Sequence, residues 1–450
     1  MGATSLSEIR ACLEGAIPSV MATCAADGTP NVAYISQVFY VDERHVALSF
    51  QFFNKTRQNI LANPHATVLV LHPATAAFFR MHIRYLRTET AGAVFEGMKA
   101  QLAGIASHSG MSEVFVLRGS DIYEVQQIES VAGDALPSPP ARAGLLTALR
   151  RGSESLARCT GLDDALNSTL ATLNDFLGIR HAMVLMLDEA CQRLFTVASC
   201  GYSVSGVGSE IEIGDGVIGV AARERTPVRI MHMTSAYLYS CAIRSSLQAE
   251  TPGLVLNTDI PYPGLAAPHS QVAVPIVSAG RLLGVLFAES PSDQAFSFED
   301  EDVLVTLAGH LGAAIDLLQS SPETVETSHT PAATTRPGPP EGAPLHLRHF
   351  RTNRSVFCND SYLIKGVAGA IFWKLVSDFV QHGRTEFSNR ELRLDPALGL
   401  PDVTDNLEAR LLLLQRRLAE HGPDIRLEKT GRGRLRLLVQ RPLLLHDMPA

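Results

Sequence analysis

Alternating apolar and polar positions dominate the first part of the chain. SVMATCA, NVAYISQVFYV and HVALSFQFF are short runs rich in β-branched and aromatic residues, separated by Asp27-Gly28 and by Asp42-Glu43-Arg44. Period-two runs joined by Asp-Gly predict a sheet built from hairpins. After Phe53 the period changes. Asn54 stands at an N-cap position, a short helix follows through Lys-Thr-Arg-Gln-Asn-Ile-Leu-Ala-Asn, and Pro64 stops it. Further on, Arg80, His82 and Arg84 alternate with Phe79, Met81, Ile83 and Tyr85, which places them on one strand face. That face suits an anionic ligand or a strand protected by charge. Residues 94–111 carry apolar positions at helical spacing.

From 141 to 319 the pattern reads as an amphipathic helix, strands HAMVLMLD and RLFTVASCGY, a glycine-spaced GDGVIG segment, a VAVPI…GRLLGVLFAES hairpin and a closing helix. Beyond 346 come short strands (HLRHFRTN, SVFCND, YLIKG), a helix AGAIFWKLVSDFVQHG, a second helix, a third helix DNLEARLLLLQRRLAEHG and the hairpin IRLEKTGRGRLRLLV. Ser388 precedes Glu391 by three positions, the spacing of a capping box at the start of the second helix. The stretch 320–345 is rich in Pro, Thr, Ser and Gly with hardly a large apolar residue, so it cannot offset its ordering entropy and reads as a disordered linker. Pro137-Ser138-Pro139-Pro140 marks another break. The expected domains are 1–132, 141–319 and 346–445, a multidomain α+β architecture.

Composition narrows the class. With 450 residues, 46% hydrophobic and 19% charged, the chain is expected to be globular, not collagen-like, wholly disordered or disulfide-stapled. Its formal charge of −8 argues against a surface made throughout to coat nucleic acid or anionic lipid. That average hides a gradient. From Glu341 onward there are 17 Lys+Arg against 13 Asp+Glu, a local +4 that leaves −12 for the rest. No run of apolar residues is long enough to span a membrane, and the start lacks the features of a secretion signal. The expectation is a cytoplasmic protein without membrane partners. Seven scattered cysteines with no Cys-x-x-Cys pair imply neither a disulfide framework nor a zinc ribbon, and no metal site is expected.

Candidate chemistry begins at the helix after Phe53. Lys55 and Arg57 lie in its first turn, where the macrodipole disfavours cations by about 0.3–1 kcal/mol each. With the Thr56 hydroxyl and free backbone N–H groups they suit a phosphate; a solvated basic turn is the other reading. Strand–turn–strand–turn–strand followed by this helix and NILANPHATVLV resembles the FMN-binding split barrel of the pyridoxamine 5′-phosphate oxidase-like superfamily. The resemblance implies FMN, with Ser49, Phe50, Gln51, Lys55, Thr56 and Arg57 at its phosphate and Tyr34, Ile35, Ser36 and Gln37 along its ring. The domain ends in VFVLRGSDIYEVQQIES without the Arg-rich segment that holds the substrate phosphate in the oxidases, so a vitamin-interconverting activity is not expected.

The glycines of GDGVIG do not make a dinucleotide fingerprint, because a long preceding strand and a following acidic strand end are missing. IGDGVIGVAARERTPVRI, the later hairpin and FSFEDEDVLVTLAGHLGAAI together resemble a GAF domain. That resemblance implies a small-molecule sensor that dimerises through its terminal helices. The ligand is expected between the sheet and the excursion 231–270, near His232, Tyr237, Tyr239, Cys241, Asp259 and His269. The cysteines lack the following His typical of bilin attachment, and only Phe298 and Asp300-Glu301 loosely match a cyclic-nucleotide signature. A haem on His232 or His269 is one alternative; a domain that only dimerises and relays a signal is another.

Strands, three helices and a terminal hairpin resemble the winged helix-turn-helix of response-regulator transcription factors. The resemblance implies a third helix in the major groove and a wing on the backbone. DNA contacts would then come from Arg410, Gln415, Arg416, Arg417, Arg432 and Arg434. Leu412 and Leu413 on the same helix suit a protein contact instead. No catalytic acid–base pair or nucleophile assembly stands out in the sequence. The expected function is a homodimeric, ligand- or redox-responsive regulator whose flavin-binding-like and GAF domains control a transcriptional output. A flavin-dependent oxidoreductase with accessory sensors and a non-DNA interaction adaptor are the alternatives.

Overall fold

A computed structural model describes residues 4–13, 19–50, 55–109, 117–137, 144–188, 191–231, 260–320, 342–396, 398, 400, 407–431 and 433–448. The first domain carries strands β1 (Ser19–Cys24), β2 (Pro30–Ile35), β3 (Val38–Tyr40) and β4 (His45–Phe50), then helix α1 (Lys55–Ala62). Strands β5 (His65–Leu71) and β6 (Phe78–Glu89), helix α2 (Ala93–Ser109) and strand β7 (Gly119–Ser130) complete it. The strands pair antiparallel in the order β2-β1-β5-β6-β7-β4-β3. The first hairpin turns at Gly28, whose φ of +86° is left-handed, while the Thr29 amide donates to Asp27 Oδ1 at 2.9 Å. Met21, Val46, Val68, Met81, Ile83 and Tyr123 fill the core.

The second domain comprises α3 (Leu145–Leu156), α4 (Leu162–Leu177), β8 (His181–Asp188), β9 (Arg193–Cys200), β10 (Glu210–Glu212), α5 (Gly216–Glu224), β11 (Val228–Ile230), β12 (Ser270–Ser278), β13 (Arg281–Ser290) and α6 (Phe298–Ser320). Its sheet runs β10-β9-β8-β13-β12-β11. Apolar residues on one sheet face pack under α3, α4 and α6, and those on the other under α5. A reciprocal cap starts α6: the Ser297 amide donates to Asp300 Oδ2 at 2.9 Å and the Asp300 amide to Ser297 Oγ at 3.2 Å.

The third domain contains β14 (Leu345–Phe350), β15 (Ser355–Cys358), β16 (Ser361–Ile364), α7 (Gly366–His382), β17 (Glu386–Ser388), α8 (Asn389–Leu394), α9 (Leu407–His421), β18 (Ile425–Gly431), β19 (Arg434–Val439) and β20 (Leu443–Met448). Two sheets result, β16-β15-β14-β20 and β17-β19-β18, with β20 parallel to β14. At the start of α8 the Glu391 amide donates to Ser388 Oγ at 3.3 Å, so the spacing of these residues does make a cap. Leu407, Leu414, Phe372 and Leu375 are buried between α7 and α9.

The domains pack on one another. On α2, Ala100 is buried against Val217, Val220 and Ala221 of α5, and Lys99 Nζ lies 3.1 Å from Glu224. One continuous apolar cluster joins the helical face of the second domain to the leucines of α9. No described helix is long and apolar enough to cross a membrane.

Candidate functional site

A cavity of about 120 Å³ opens in the first domain where β2, β4, β7 and α1 meet. It gathers Ser36, Ser49, Phe50, Thr56 and Arg57 from the expected flavin set and adds Asp121 and Tyr123 of β7. Tyr34, on the exposed side of β2, forms its rim. Two expected residues stand apart. Gln37 is buried, but its Nε2 donates to Gln101 Oε1 of α2 at 2.5 Å and it does not line the cavity. Lys55 is exposed on α1. Gln51 lies outside the described residues, as does Asn54.

Arg57 is held by the protein itself. Its Nη1 donates to Asp121 Oδ2 at 2.5 Å and its Nη2 to Thr88 Oγ1 at 2.8 Å. Thr88 Oγ1 donates to Asp121 Oδ1 at 2.5 Å and meets Tyr85 Oη at 2.7 Å. The guanidinium also lies over the Phe50 ring, 4.5 Å from its centroid. Burial works against the charge on Arg57, and Asp121 more than offsets it, so the Arg57 pKa is raised. Burial likewise pushes the Asp121 carboxyl above its ordinary range, with Thr88 and Arg57 pulling it back. Thr56 is engaged too, accepting from Asn31 Nδ2 at 3.0 Å. Arg57, with both terminal nitrogens turned to Asp121 and Thr88, does not fit a phosphate as arranged; the aromatic and hydroxyl lining of the cavity does fit a planar polar ring. The sequence signal for this was a single Asp within the alternating run Ser120-Asp121-Ile122-Tyr123.

The charged face of β6 resolves toward strand protection. Arg80 pairs with Glu129 at 3.2 Å, His82 Nε2 lies 3.6 Å from the same carboxylate, and Arg84 and Arg44 share Glu124 at 2.9 and 3.1 Å. Such exposed pairs contribute about 0–1 kcal/mol each, but they leave these cations already matched by β7 carboxylates.

In the second domain, His232, Tyr237, Tyr239, Cys241 and Asp259 lie outside the described residues. His269 is half-exposed with Nδ1 3.4 Å from Asp293, which is not the apolar setting a haem-ligating histidine wants. The polar group that sequence reasoning missed is Glu289, only 2% exposed on β13. It accepts from the Leu265 amide at 2.7 Å and from Gln271 Nε2 at 3.1 Å. The Tyr202 hydroxyl is buried beside it without a well-formed hydrogen bond. Burial raises the Glu289 pKa above the ordinary 4.5, against the lowering effect of the Leu265 amide, Gln271 and Tyr202.

A carboxyl whose folded pKa is raised stabilises the fold fully below its unfolded value and loses that contribution as pH rises through the folded value. Glu289→Gln, with the Gln271 amide turned to accept, is therefore expected to be no less stable than wild type at pH 7. It should also flatten the dependence of melting temperature on pH above about 4.5. An unchanged slope between pH 4 and 7 in thermal melts would refute this assignment.

In the third domain, α9 turns Arg410 inward, a correction to its expected place on DNA, and holds Arg416 and Arg417 half-buried in bonds to the rest of the chain. Arg410 is 4% exposed and its Nη1 lies 2.9 Å from Asp188 Oδ2 at the end of β8. Arg416 donates to the Val197 carbonyl and to Asn167, each at 2.8 Å, and pairs with Asp163. Arg417 donates to the Leu363 carbonyl at 3.1 Å and to Glu420 at 2.8 Å. Leu412 and Leu413 are buried. Of the expected DNA set, Gln415 and Arg434 are exposed, and Arg432 lies outside the described residues. Lys365 adds a pair with Glu210 at 3.2 Å across the same boundary.

Comparison with known proteins agrees with the first two folds. Residues 6–126 match the pyridoxamine 5′-phosphate oxidase family and residues 159–316 match the GAF domain family. Among solved structures, the chain is similar to the GAF domain of an Acinetobacter phosphoenolpyruvate-protein phosphotransferase, at 22% identity over 41% of this chain and 99% of that one, with a TM-score of 0.32. It is also similar to an FMN-binding protein from Syntrophomonas wolfei, at 16% identity over 28% of this chain and 86% of that one, TM-score 0.25. A third similar structure is the free methionine-R-sulfoxide reductase of Neisseria meningitidis with its substrate, at 21% identity over 39% of this chain and 93% of that one, TM-score 0.30. No curated protein matches the chain. The chain therefore joins a stretch that matches the pyridoxamine 5′-phosphate oxidase family, residues 6–126, to one that matches the GAF domain family, residues 159–316.

Proposed function

We propose that this chain is a cytoplasmic, homodimeric regulatory protein in which small molecules perceived by the split-barrel and GAF domains control the C-terminal domain. The observation that carries this reading is the packing of α9 on the GAF domain, with Arg410 buried against Asp188 of β8 and Arg416 paired with the exposed Asp163 of α4. An element whose leucines and one cation, Arg410, are covered by another domain can be exposed or withheld by whatever alters that domain.

The output is proposed to be a winged helix-turn-helix acting on DNA in transcription. Support comes from the order of strands, three helices and terminal hairpin, the local charge of +4 and the exposed Arg434 on β19. A protein-binding output is the second reading, favoured by the four consecutive leucines of α9 that already form a protein interface. A flavin-dependent oxidoreductase with accessory sensors rests on the split-barrel cavity alone. The deciding measurement is a DNA mobility shift by the full chain at low salt. A shift that weakens with salt and falls with Arg434→Ala supports DNA output. No shift by either the wild type or a variant with α9 released would sink it.

A further inference from the structure

We infer that Asp121 makes the split-barrel cavity selective for an uncharged flavin, riboflavin in preference to its phosphate ester FMN. The inference rests on the reading that this cavity takes a flavin at all. A guanidinium that binds phosphate must present free N–H groups in a fork toward the phosphate oxygens. Here the two terminal nitrogens of Arg57 are directed to Asp121 and Thr88 of the same domain. The Thr88 hydroxyl donates to the second Asp121 oxygen, and Tyr85 backs Thr88. Phe50 and Tyr85 pack near the guanidinium, 4.5 and 5.4 Å from its carbon to their ring centroids. Side-chain exposure is only 12% for Arg57 and 9% for Asp121.

The electrostatic consequence is direct. At Arg57 a phosphate dianion meets an ion pair of no net charge, one member of which is a carboxylate of its own sign. Capturing Arg57 would strand Asp121 as a buried, unpaired anion, the costly state that breaking such a pair creates. What remains open along the cavity is apolar and aromatic surface from Ile35 and Phe50, with the hydroxyls of Ser36 and Ser49. Apolar walls with a few convergent polar groups suit the faces and polar edges of an uncharged heteroaromatic ring.

The test titrates riboflavin and FMN into the purified full chain, following quenching of flavin fluorescence. Wild type is expected to bind riboflavin at least as tightly as FMN. Asp121→Asn should tighten FMN by about tenfold or more while moving riboflavin by less than about threefold, because the neutral amide frees Arg57 for a phosphate. The double variant Arg57→Gln/Asp121→Asn should lose that gain. Wild type preferring FMN by about tenfold or more overturns the proposal and keeps the flavin reading, and this comparison needs no variant to fold. A folded Asp121→Asn that shows no FMN gain also overturns it. Failure of either flavin to bind any variant overturns the flavin reading together with this one.

Discussion

Replacing Arg410 by alanine is expected to destabilise the GAF and C-terminal domains by about 3–5 kcal/mol, the range for removing one partner of a buried ion pair. Arg410 and Asp188 have side-chain exposures of only 5% and 14%, so solvent cannot replace the lost guanidinium. The deletion leaves Asp188 facing the apolar seam between the domains. Because the loss is chiefly a carboxylate left without its cation, with the Cys191 amide as a neutral donor, the effects are expected to be strongly non-additive: Arg410→Ala/Asp188→Asn should recover a large part of the loss. Urea unfolding of the two single variants and the double variant measures the coupling. Single effects below about 1 kcal/mol, or additive ones, would show that the pair is not what holds α9 in place.

The second large effect is expected from Leu413→Asp. Leu413 is 7% exposed, and a methyl carbon placed on Gly208 of the GAF domain would lie 3.5 Å from its Cδ1. Gly208 adopts φ +89° and a side chain there would also collide with Ile260 at 2.7 Å, so the GAF backbone approaches α9 closely at this point. An aspartate at 413 would bury a carboxylate whose one near cation, Arg417 a turn away, is already held by Leu363 and Glu420, a cost large enough that separation of the domains is the cheaper state. The expected result is an increased hydrodynamic radius by sedimentation and loss of amide protection across Leu407–His421 in hydrogen exchange. Stronger DNA binding by this variant would identify α9 as the occluded output surface. Unchanged radius and protection would refute the docking on which the regulatory reading depends.

Elements governed by short-range rules are legible in the order of residues alone. Asp27-Gly28 turns the first hairpin, Pro64 follows the end of α1, and Ser388 with Glu391 caps α8. Each depends on residues within a few positions of one another, where backbone preference and local hydrogen bonding decide. The strands and helices of the first two domains are legible through their apolar period, whereas the families were legible only through the resemblance of segments such as IGDGVIGVAARERTPVRI to known ones.

The use of the charged residues is not legible in that way. Basic character in the first turn of α1 suggests a phosphate, yet Arg57 is claimed by Asp121, 64 positions away, through the pairing that sets β7 against β4. Gln37 reads as part of the ring site of a flavin and is instead tied to Gln101 on α2, the helix that rests on the GAF domain. The cations of α9 read as DNA contacts, but the fold sets them against Asp188 and Asp163, 222 and 253 positions away in another domain. Sequence by itself determined which segments are strands or helices and which of their faces are apolar. Only the tertiary structure decided what covers each face, because the partner of a buried charge is set by which distant elements pack together, and periodicity carries no information about that.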